Sequence, residues 1–282
     1  MKVIKKNQRK TPLFIHKSFK NGKLIAEGGN GTVHKCISKK KIYALKHPKN
    51  LAKQHFRELE VLMKISGHPN IIRFYGITQD WDIVLEYAYD GTLHDYLKRN
   101  PDINWVKKTR IATDILVGLS YLHDNGIIHR DLHPGNILVN RGVIKISDFG
   151  SSKCDDGVNS IDCLGVMAYV DPECDYFPRD KKSDIYSYGV ILWEMASGHR
   201  PQNHLSPFED IKNVCVPRKY VGLYKGCVSP RKERLERTEI FRHLNEILDE
   251  EFFNEIDSVK ATMFTLIGAI MFSLIDVVMF PL

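Results

Sequence analysis

Two short segments of the sequence concentrate side chains that could do chemistry. HRDLHPGN, residues 129–136, places the carboxylate of Asp131 near the amide of Asn136, and Asp148 follows in SDFG. A carboxylate can accept a proton from a hydroxyl group, and carboxylate and amide oxygens are the ligands that hard divalent ions prefer. These residue types could therefore take part in proton transfer and in binding a divalent ion, and they leave open which molecule reacts.

A glycine-rich segment and one lysine lie upstream of these residues. AEGGNGTV, residues 26–33, contains Gly28, Gly29 and Gly31. Glycines allow backbone amides to approach phosphate oxygens closely. YALK supplies Lys46, and Glu58 on the next predicted helix is its natural partner. A glycine cluster alone is typical of a turn and a single lysine of a solvated surface, but the ordered set argues against both interpretations.

The elements that must position these residues run from strands to helices. Residues 23–46 and 71–89 are rich in β-branched and aromatic residues and predict strands. Residues 52–66 carry apolar residues at helical spacing. Further helices are predicted over 92–99, 104–125, 183–198 and 233–255. We therefore expect an α+β chain with a small strand-rich lobe, a hinge at Gly91 and a larger helical lobe.

Taken as a set, the motifs resemble those of the eukaryotic protein kinases. The inner DLHPGN also resembles the loop of small-molecule kinases. However, GVMAYVDPE at 165–173 and SDIYSYGVILWEMASG at 183–198 resemble the end of a protein-kinase activation segment and the helix that follows it. The resemblance covers about residues 23–248 and has features of the tyrosine-kinase-like serine/threonine group, so a small-molecule kinase is kept as the weaker alternative.

The resemblance implies a two-lobed protein-kinase fold with a strand-rich N-lobe at about 23–87 and a helical C-lobe at about 91–256. The kinase domain would span 23–256, between a basic N-terminal arm at 1–22 and an apolar tail at 257–282. It also implies transfer of the γ-phosphate of ATP to protein hydroxyls, with serine or threonine favoured over tyrosine. ATP, Mg²⁺ and a protein substrate are the implied cofactors and partners.

The resemblance assigns a role to each motif residue. Asp131 would accept or orient the proton of the substrate hydroxyl. Asn136 and Asp148 would hold Mg²⁺ against the phosphates. Lys46, held by Glu58, would neutralise the α- and β-phosphates. The implied catalytic residues are Asp131, Lys46, Glu58, Asn136 and His133.

The implied ATP contacts come from both lobes. Val33, Ala44 and Leu138 would sandwich the adenine ring. Backbone groups of Glu86 and Ala88 would bond the adenine edge. The full implied set is Gly28, Gly29, Gly31, Val33, Ala44, Lys46, Glu86, Ala88 and Leu138.

The resemblance also predicts supporting contacts in the C-lobe. Asp184 would hold the backbone of the catalytic loop, and His129 would pack beneath Phe149. Arg234 would pair with Glu173. Arg130 would pair with an acidic or phosphorylated group, for which Ser160 is the predicted activating phosphorylation site.

Several positions depart from the family pattern. His133 replaces the usual lysine, and a neutral imidazole would stabilise a transferring phosphate less well than an ammonium group. Ala26 and Asn30 alter the glycine-rich segment, Val166 replaces a threonine, and Asp171 replaces an alanine. These departures motivate the alternative of a pseudokinase or signalling scaffold that binds nucleotide or a partner with little phosphotransfer.

Composition sets the environment of the chain. The 282 residues carry a net charge of +7, much of it in the basic arm, which we interpret as a solvated terminus and not as a nucleic-acid site. The six cysteines form no C-x-x-C pair, so we expect reduced thiols and a cytoplasmic location. The sequence leaves the substrate, the pathway and the oligomeric state open.

The last 22 residues, 261–282, form an apolar run with one charge, Asp276. As a helix this run would be about 33 Å long, against a hydrocarbon core of about 30 Å. We therefore predict that it tethers the chain to a membrane, which detergent-free fractionation of the full-length chain would test. A helix docked on the large lobe is the alternative.

Overall fold

The computed structural model describes residues 13–14, 19–28, 31–154, 166–201, 216–253, 256–257 and 263. The first part of the chain forms a six-stranded sheet with the order β1-β5-β6-β4-β3-β2. Its strands are β1 (Leu13–Phe14), β2 (Lys20–Gly28), β3 (Gly31–Ser38), β4 (Lys41–Pro48), β5 (Phe74–Thr78) and β6 (Ile83–Glu86). β1 runs parallel to β5, whereas the other neighbours pair antiparallel.

Alternation along β4 gives the sheet two different faces. Tyr43 and Leu45 pack into one small cluster on one side. Ala44 packs into the main core on the other side, and Lys46 shares its face because side chains two residues apart point the same way. The strand therefore delivers a lysine to the inner face of the sheet.

Helix α1 (Lys53–Ile65) covers that inner face. Its buried stripe includes Glu58, Leu59, Leu62 and Ile65, while Glu60 is exposed. This is the outcome expected from helical periodicity, since residues two apart do not share a helix face. The helix ends before His68-Pro69, as the sequence predicted from the restriction that proline imposes on the preceding residue.

The second part of the chain is mainly helical. Its helices are α2 (Leu93–Arg99), α3 (Trp105–Asp124), α4 (Lys181–Ser197), α5 (Arg218–Val228) and α6 (237–253). α4 is buried around nearly its whole circumference, so it forms the centre of this lobe. A capping box at Asp180 and Ser183 fixes its start, and Gly198 ends it with φ 73°.

Short strands frame the loop that carries the candidate catalytic residues. They are β7 (Ile127–Ile128), β8 (Ile137–Asn140), β9 (Val143–Ile146) and β10 (Lys153–Cys154). β8 pairs with β9, and β7 pairs with β10. The HRDLHPGN loop therefore begins and ends at fixed strand ends.

The predicted elements are present with shifted ends, whereas the short strands β7–β10 of the C-lobe were not predicted. β2 begins at Lys20 and Leu13–Phe14 pair with β5, so the sheet includes residues that the sequence assigned to a basic arm. α6 begins at 237 and not at 233, because residues 231–236 form a turn whose arginines contact the 3₁₀ turn Pro172–Asp175 and its N-cap Asp171.

Some predictions concern residues outside the described ranges. These include Gly29, Asn30, the proposed phosphorylation site Ser160 and, apart from Met263, the apolar run 261–282. Within the described residues, no helix combines the length and the apolar character needed to cross a membrane.

Candidate active site

Lys46 lies between two carboxylates at the junction of the two lobes. Its Nζ atom donates to Glu58 Oε1 at 2.7 Å and to Glu58 Oε2 at 2.8 Å. The same atom lies 3.1 Å from Asp148 Oδ1. The predicted pairing of Lys46 with Glu58 is therefore present, and it extends to the acid of SDFG, 102 residues away in sequence.

Lys46 and Glu58 are buried, and their attraction is strengthened because charges interact more strongly away from water. Burial alone would lower the pKa of Lys46, but the carboxylates of Glu58 and Asp148 outweigh it and raise that pKa. Burial would raise the pKa of Asp148, yet Lys46 holds it below its ordinary value. Lys46 is therefore a fixed cation and Asp148 a fixed anion near neutral pH.

Asp184 at the start of α4 holds the catalytic loop by its backbone, as predicted. Its carboxylate accepts hydrogen bonds from His129 N and Arg130 N, both at 2.9 Å. His123 Nε2 lies 2.8 Å from the same carboxylate. Burial would raise the pKa of Asp184, but the hydrogen bond and charge of His123 and the other donors lower it.

The loop positions Asp131 and Asn136 against each other. Asn136 Nδ2 donates to Asp131 O at 2.8 Å and lies 3.3 Å from Asp131 Oδ2. Asp131 Oδ1 is buried and accepts no hydrogen bond from the described residues. The amide nitrogen of Asn136 is thus used within the loop, and the Asp131 side chain as a whole keeps 21% exposure.

His129 has a structural position, as predicted. Its ring packs edge-on against Phe149 with centroids 5.4 Å apart, and its Nε2 atom lies 3.0 Å from Ser147 O. The residue is fully buried. It links the catalytic loop to the segment that carries Asp148.

His133 lies beside Asp131 without a hydrogen bond to it. Its Nε2 atom is 3.9 Å from Asp131 Oδ1, and its Nδ1 atom accepts from Gly135 N at 3.1 Å. Burial lowers the pKa of His133, and Arg200 adds to that effect, although Asp131 opposes it. The imidazole is therefore neutral near pH 7, as expected for the histidine in this loop.

The residues assigned to the adenine ring occupy one apolar region. Val33, Ala44 and Leu138 all contribute to the main hydrophobic cluster. The side chain of Glu86 is tied to the C-lobe by Asn140 Nδ2 at 2.6 Å and by Lys145 Nζ at 3.4 Å. Glu86 is the last residue of β6 and Ala88 follows it, so both lie in a segment anchored to both lobes.

Gly31 is required by close packing at the tip of the β2–β3 hairpin, where it pairs with Gly28. Its φ is +137°, and a Cβ atom there would lie 1.9 Å from His47 O. A side chain cannot be accommodated at this position without moving β4.

The predicted pair of Arg234 and Glu173 is present, but it is the weaker of two pairs that Arg234 makes. Arg234 makes its strongest pairing with Asp171, with Nη1 2.5 Å from Oδ2 and Nη2 3.2 Å from Oδ1. Glu173 is more distant at 3.5 Å from Arg234, and it accepts instead from the backbone N of Arg231 at 2.6 Å. A bidentate pair with a fully buried carboxylate satisfies the guanidinium better.

Two further contact residues of this region, Glu194 and Arg179, were not identified from the sequence. Tyr169 donates its hydroxyl to Glu194 on α4, and Arg179 donates to Arg130 O at 2.7 Å. The sequence also contains no indication that Asp171, which departs from the family pattern, accepts hydrogen bonds from Arg234. Neither Glu194 nor Arg179 belongs to a motif that signals such a contact.

The protein kinase domain family matches residues 19–252 of the chain. The Arabidopsis thaliana serine/threonine-protein kinase STY46 is 33% identical over 260 residues, which cover 83% of this chain and 45% of that protein. The Arabidopsis serine/threonine-protein kinase VIK is 35% identical over 237 residues, covering 76% of this chain and 54% of its own length. The probable serine/threonine-protein kinase drkB of Dictyostelium discoideum is 30% identical over 262 residues, which cover 84% of this chain and 38% of that protein. The chain spans about half or less of the length of these relatives.

Proposed function

Because the chain belongs to the protein kinase family, we propose that it transfers the γ-phosphate of ATP to a serine or threonine hydroxyl of a protein. The names of the similar proteins support serine or threonine as the acceptor. The observation that carries the proposal is the contact of Lys46 with both Glu58 and Asp148. The Lys46–Glu58 ion pair is one that phosphoryl transfer by protein kinases requires, and the contact with Asp148 brings the candidate metal ligand to the same place.

Asp131 is the proposed proton acceptor. Its side chain is 21% exposed, so the accessible part of the carboxylate can accept a hydrogen bond from a substrate hydroxyl. Asn136 Nδ2 contacts Oδ2 and the backbone carbonyl of Asp131, which fixes the carboxylate. Asp184 in turn fixes the backbone of the loop.

The residues present fit ATP and Mg²⁺. No cluster of three or more His, Cys, Asp or Glu side chains among the described residues could hold a metal ion by itself. One carboxylate with one amide oxygen suits Mg²⁺, which usually takes its remaining ligands from phosphates and water. Asp148 and Asn136 would hold the ion, which would neutralise charge on the transferring phosphate. Lys46 would contact the phosphates, and Val33, Ala44 and Leu138 would contact the adenine.

The departures from the family pattern do not favour the pseudokinase alternative. His133 and Val166 leave the contacts of Lys46, Glu58 and Asp148 in place. The phosphotransfer rate of the wild-type protein distinguishes an active kinase from a pseudokinase.

We expect wild-type protein to phosphorylate a protein substrate with ATP and Mg²⁺, and Asp131→Asn to lower the rate about a hundredfold or more. The asparagine keeps the shape of the side chain but removes the proton acceptor. Radiolabel transfer, with circular dichroism to confirm folding, would measure this. Equal rates for the two proteins would refute the role of Asp131, and a wild-type rate at background would favour the pseudokinase.

His133→Lys is expected to raise the phosphotransfer rate near neutral pH by about two- to fivefold, the size of one partly exposed charge interaction. The lysine supplies a fixed positive charge where the wild-type imidazole is neutral. The gain should be largest above pH about 6.5, the ordinary pKa of histidine. Steady-state rates at saturating ATP across pH would measure it. His133→Gln is the matched neutral control, and an equal gain in that variant would exclude the charge as the cause.

A further inference from the structure

A groove with a positive lining lies beside the catalytic loop. Its volume is about 490 Å³, and it is bounded by α2, the start of α3 and the end of α4. We define the basic groove by its ionisable lining residues, His94, Lys98, Lys108, Glu194 and Arg200. Three of these are permanent cations, and Lys98 and Arg200 are exposed.

The acid in the basic groove, Glu194, makes no ion pair with Lys98, Lys108 or Arg200. Glu194 is 95% buried, since its exposed fraction is 5%. It accepts the hydroxyl hydrogen of Tyr169. Burial raises the pKa of Glu194 although Tyr169 and His94 oppose that effect, as does the charge of Arg200. Glu194 is therefore a poor attractant for a positively charged ligand.

Arg200 is oriented towards the basic groove by His94. Its Nε atom donates to His94 Nδ1 at 3.1 Å. A guanidinium group can only donate, so Nδ1 is the acceptor in this hydrogen bond. The same Nδ1 atom lies 3.6 Å from Glu194 Oε1. The guanidinium charge of Arg200 is paired with no carboxylate of the described residues.

Lys108 is the third cation without an acidic partner among the described residues. Its Nζ atom lies over the Trp105 ring, 4.5 Å from the centroid. Burial lowers the pKa of Lys108, which indicates a charge removed from water without a compensating carboxylate. An anionic ligand would supply that compensation.

The basic groove is connected directly to the catalytic loop. His94 N donates to Pro134 O at 3.4 Å, and Pro134 lies between Asp131 and Asn136. The Tyr169 ring lies 5.9 Å from the His133 ring, and its hydroxyl contacts Glu194. A peptide whose hydroxyl reaches Asp131 would therefore pass close to these cations.

We propose that the basic groove selects protein substrates that carry aspartate or glutamate close to the phosphorylated residue. This inference rests on the proposed kinase function and specifies its substrate class. Charge complementarity carries the proposal. Lys98 near the end of α2, Lys108 near the start of α3 and Arg200 just after α4 line the same groove, and none of the three makes an ion pair among the described residues. The groove thus acts on substrate choice, and Asp131 acts on the chemistry.

Two short peptides with the same central serine would test the proposal, one flanked by aspartate and glutamate and the other by lysine and arginine. Binding to full-chain Asp131→Asn protein is measured by fluorescence anisotropy, and kcat and KM are measured with wild-type protein. We expect the acidic peptide to bind about tenfold more tightly and to have the lower KM. The preference should shrink as salt rises, because the Debye length falls from about 10 Å at 0.1 M to about 3 Å at 1 M.

Lys98→Glu/Arg200→Glu is the informative variant, in both the wild-type and Asp131→Asn backgrounds. It should abolish or reverse the preference for the acidic peptide, with the change appearing in KM. Lys225→Glu/Lys232→Glu makes the same change of net charge on exposed lysines away from the basic groove and should keep the preference.

The outcomes separate this proposal from the kinase function. Equal binding of the two peptides, or an equal loss of preference in the Lys225/Lys232 control, would overturn the basic groove as a selectivity site. Selective binding of the acidic peptide by a chain that transfers no phosphate would support the basic groove and refute the kinase function. Transfer to both peptides with equal KM would support the kinase function and refute the basic groove as a selectivity site.

Discussion

Lys46→Met is expected to reduce phosphotransfer by about 10³-fold or more and to destabilise the protein by about 3–5 kcal/mol. The activity falls because the methionine cannot neutralise phosphate oxygens. The stability falls because Glu58, which is only 3% exposed, loses the ammonium group 2.7 Å away. A buried charge without its partner is strongly destabilising. Steady-state kinetics and urea unfolding of the same preparation would measure both effects.

The double variant Lys46→Met/Glu58→Gln separates the two effects. Removing the negative charge of Glu58 should restore a large part of the lost stability, since neither member of the pair is then charged. Phosphotransfer should stay low, because no cation has been returned to the phosphates. Recovery of activity together with stability would show that Lys46 matters only for folding. Near-normal activity of Lys46→Met itself, with contaminating kinases excluded, would contradict its role in transfer.

Asp184→Ala is expected to destabilise the protein by about 3–5 kcal/mol and to abolish measurable phosphotransfer. The alanine leaves the backbone N–H groups of His129 and Arg130 without their acceptor, and both are buried. Unsatisfied buried donors cost their full desolvation energy. The loop that holds Asp131 and Asn136 would then lose the contact that sets its backbone.

Asp184→Asn is the control that keeps one oxygen acceptor and removes the charge, so its loss of stability should be intermediate. The pKa of Asp184 is held below its ordinary value. Its contribution is therefore fully present above the unfolded pKa of about 3.9 and is lost as the pH falls through the lower folded pKa. The stability difference between wild type and Asp184→Asn, measured by urea unfolding, should shrink in acid. A difference that stays constant from neutral to acidic pH would contradict the role of the charge.

Local patterns were sufficient for the order of the elements and for the choice between neighbouring residues. Alternation along β4 predicts which face carries Lys46, and helical periodicity selects Glu58 over Glu60 as its partner. These patterns work because the strand and the helix each repeat side-chain directions over a few residues. The remaining site residues came from motifs that resemble those of a family. The structure brings several of them into contact, such as Lys46 with Asp148 and Asn136 with Asp131.

The ends of the elements were less predictable. α6 begins four residues after its expected start, because Arg231 and Arg234 are held by Asp171, Glu173 and Asp180. Apolar spacing does not report such contacts, since they depend on residues more than fifty positions away. The pairing of Leu13–Phe14 with β5 was also not predictable, because a strand of two residues is too short to show a periodic pattern.

The sequence by itself determined the α+β order of the chain and the motif residues. Only the tertiary structure decided that Arg234 pairs with Asp171 before Glu173, and that Lys98, Lys108 and Arg200 face one groove. A guanidinium takes the carboxylate that packing brings within reach, and both candidates were available in the sequence. Lys98 lies on α2, Lys108 on α3 and Arg200 just after α4. Their convergence follows from how these helices pack, and no local spacing encodes it.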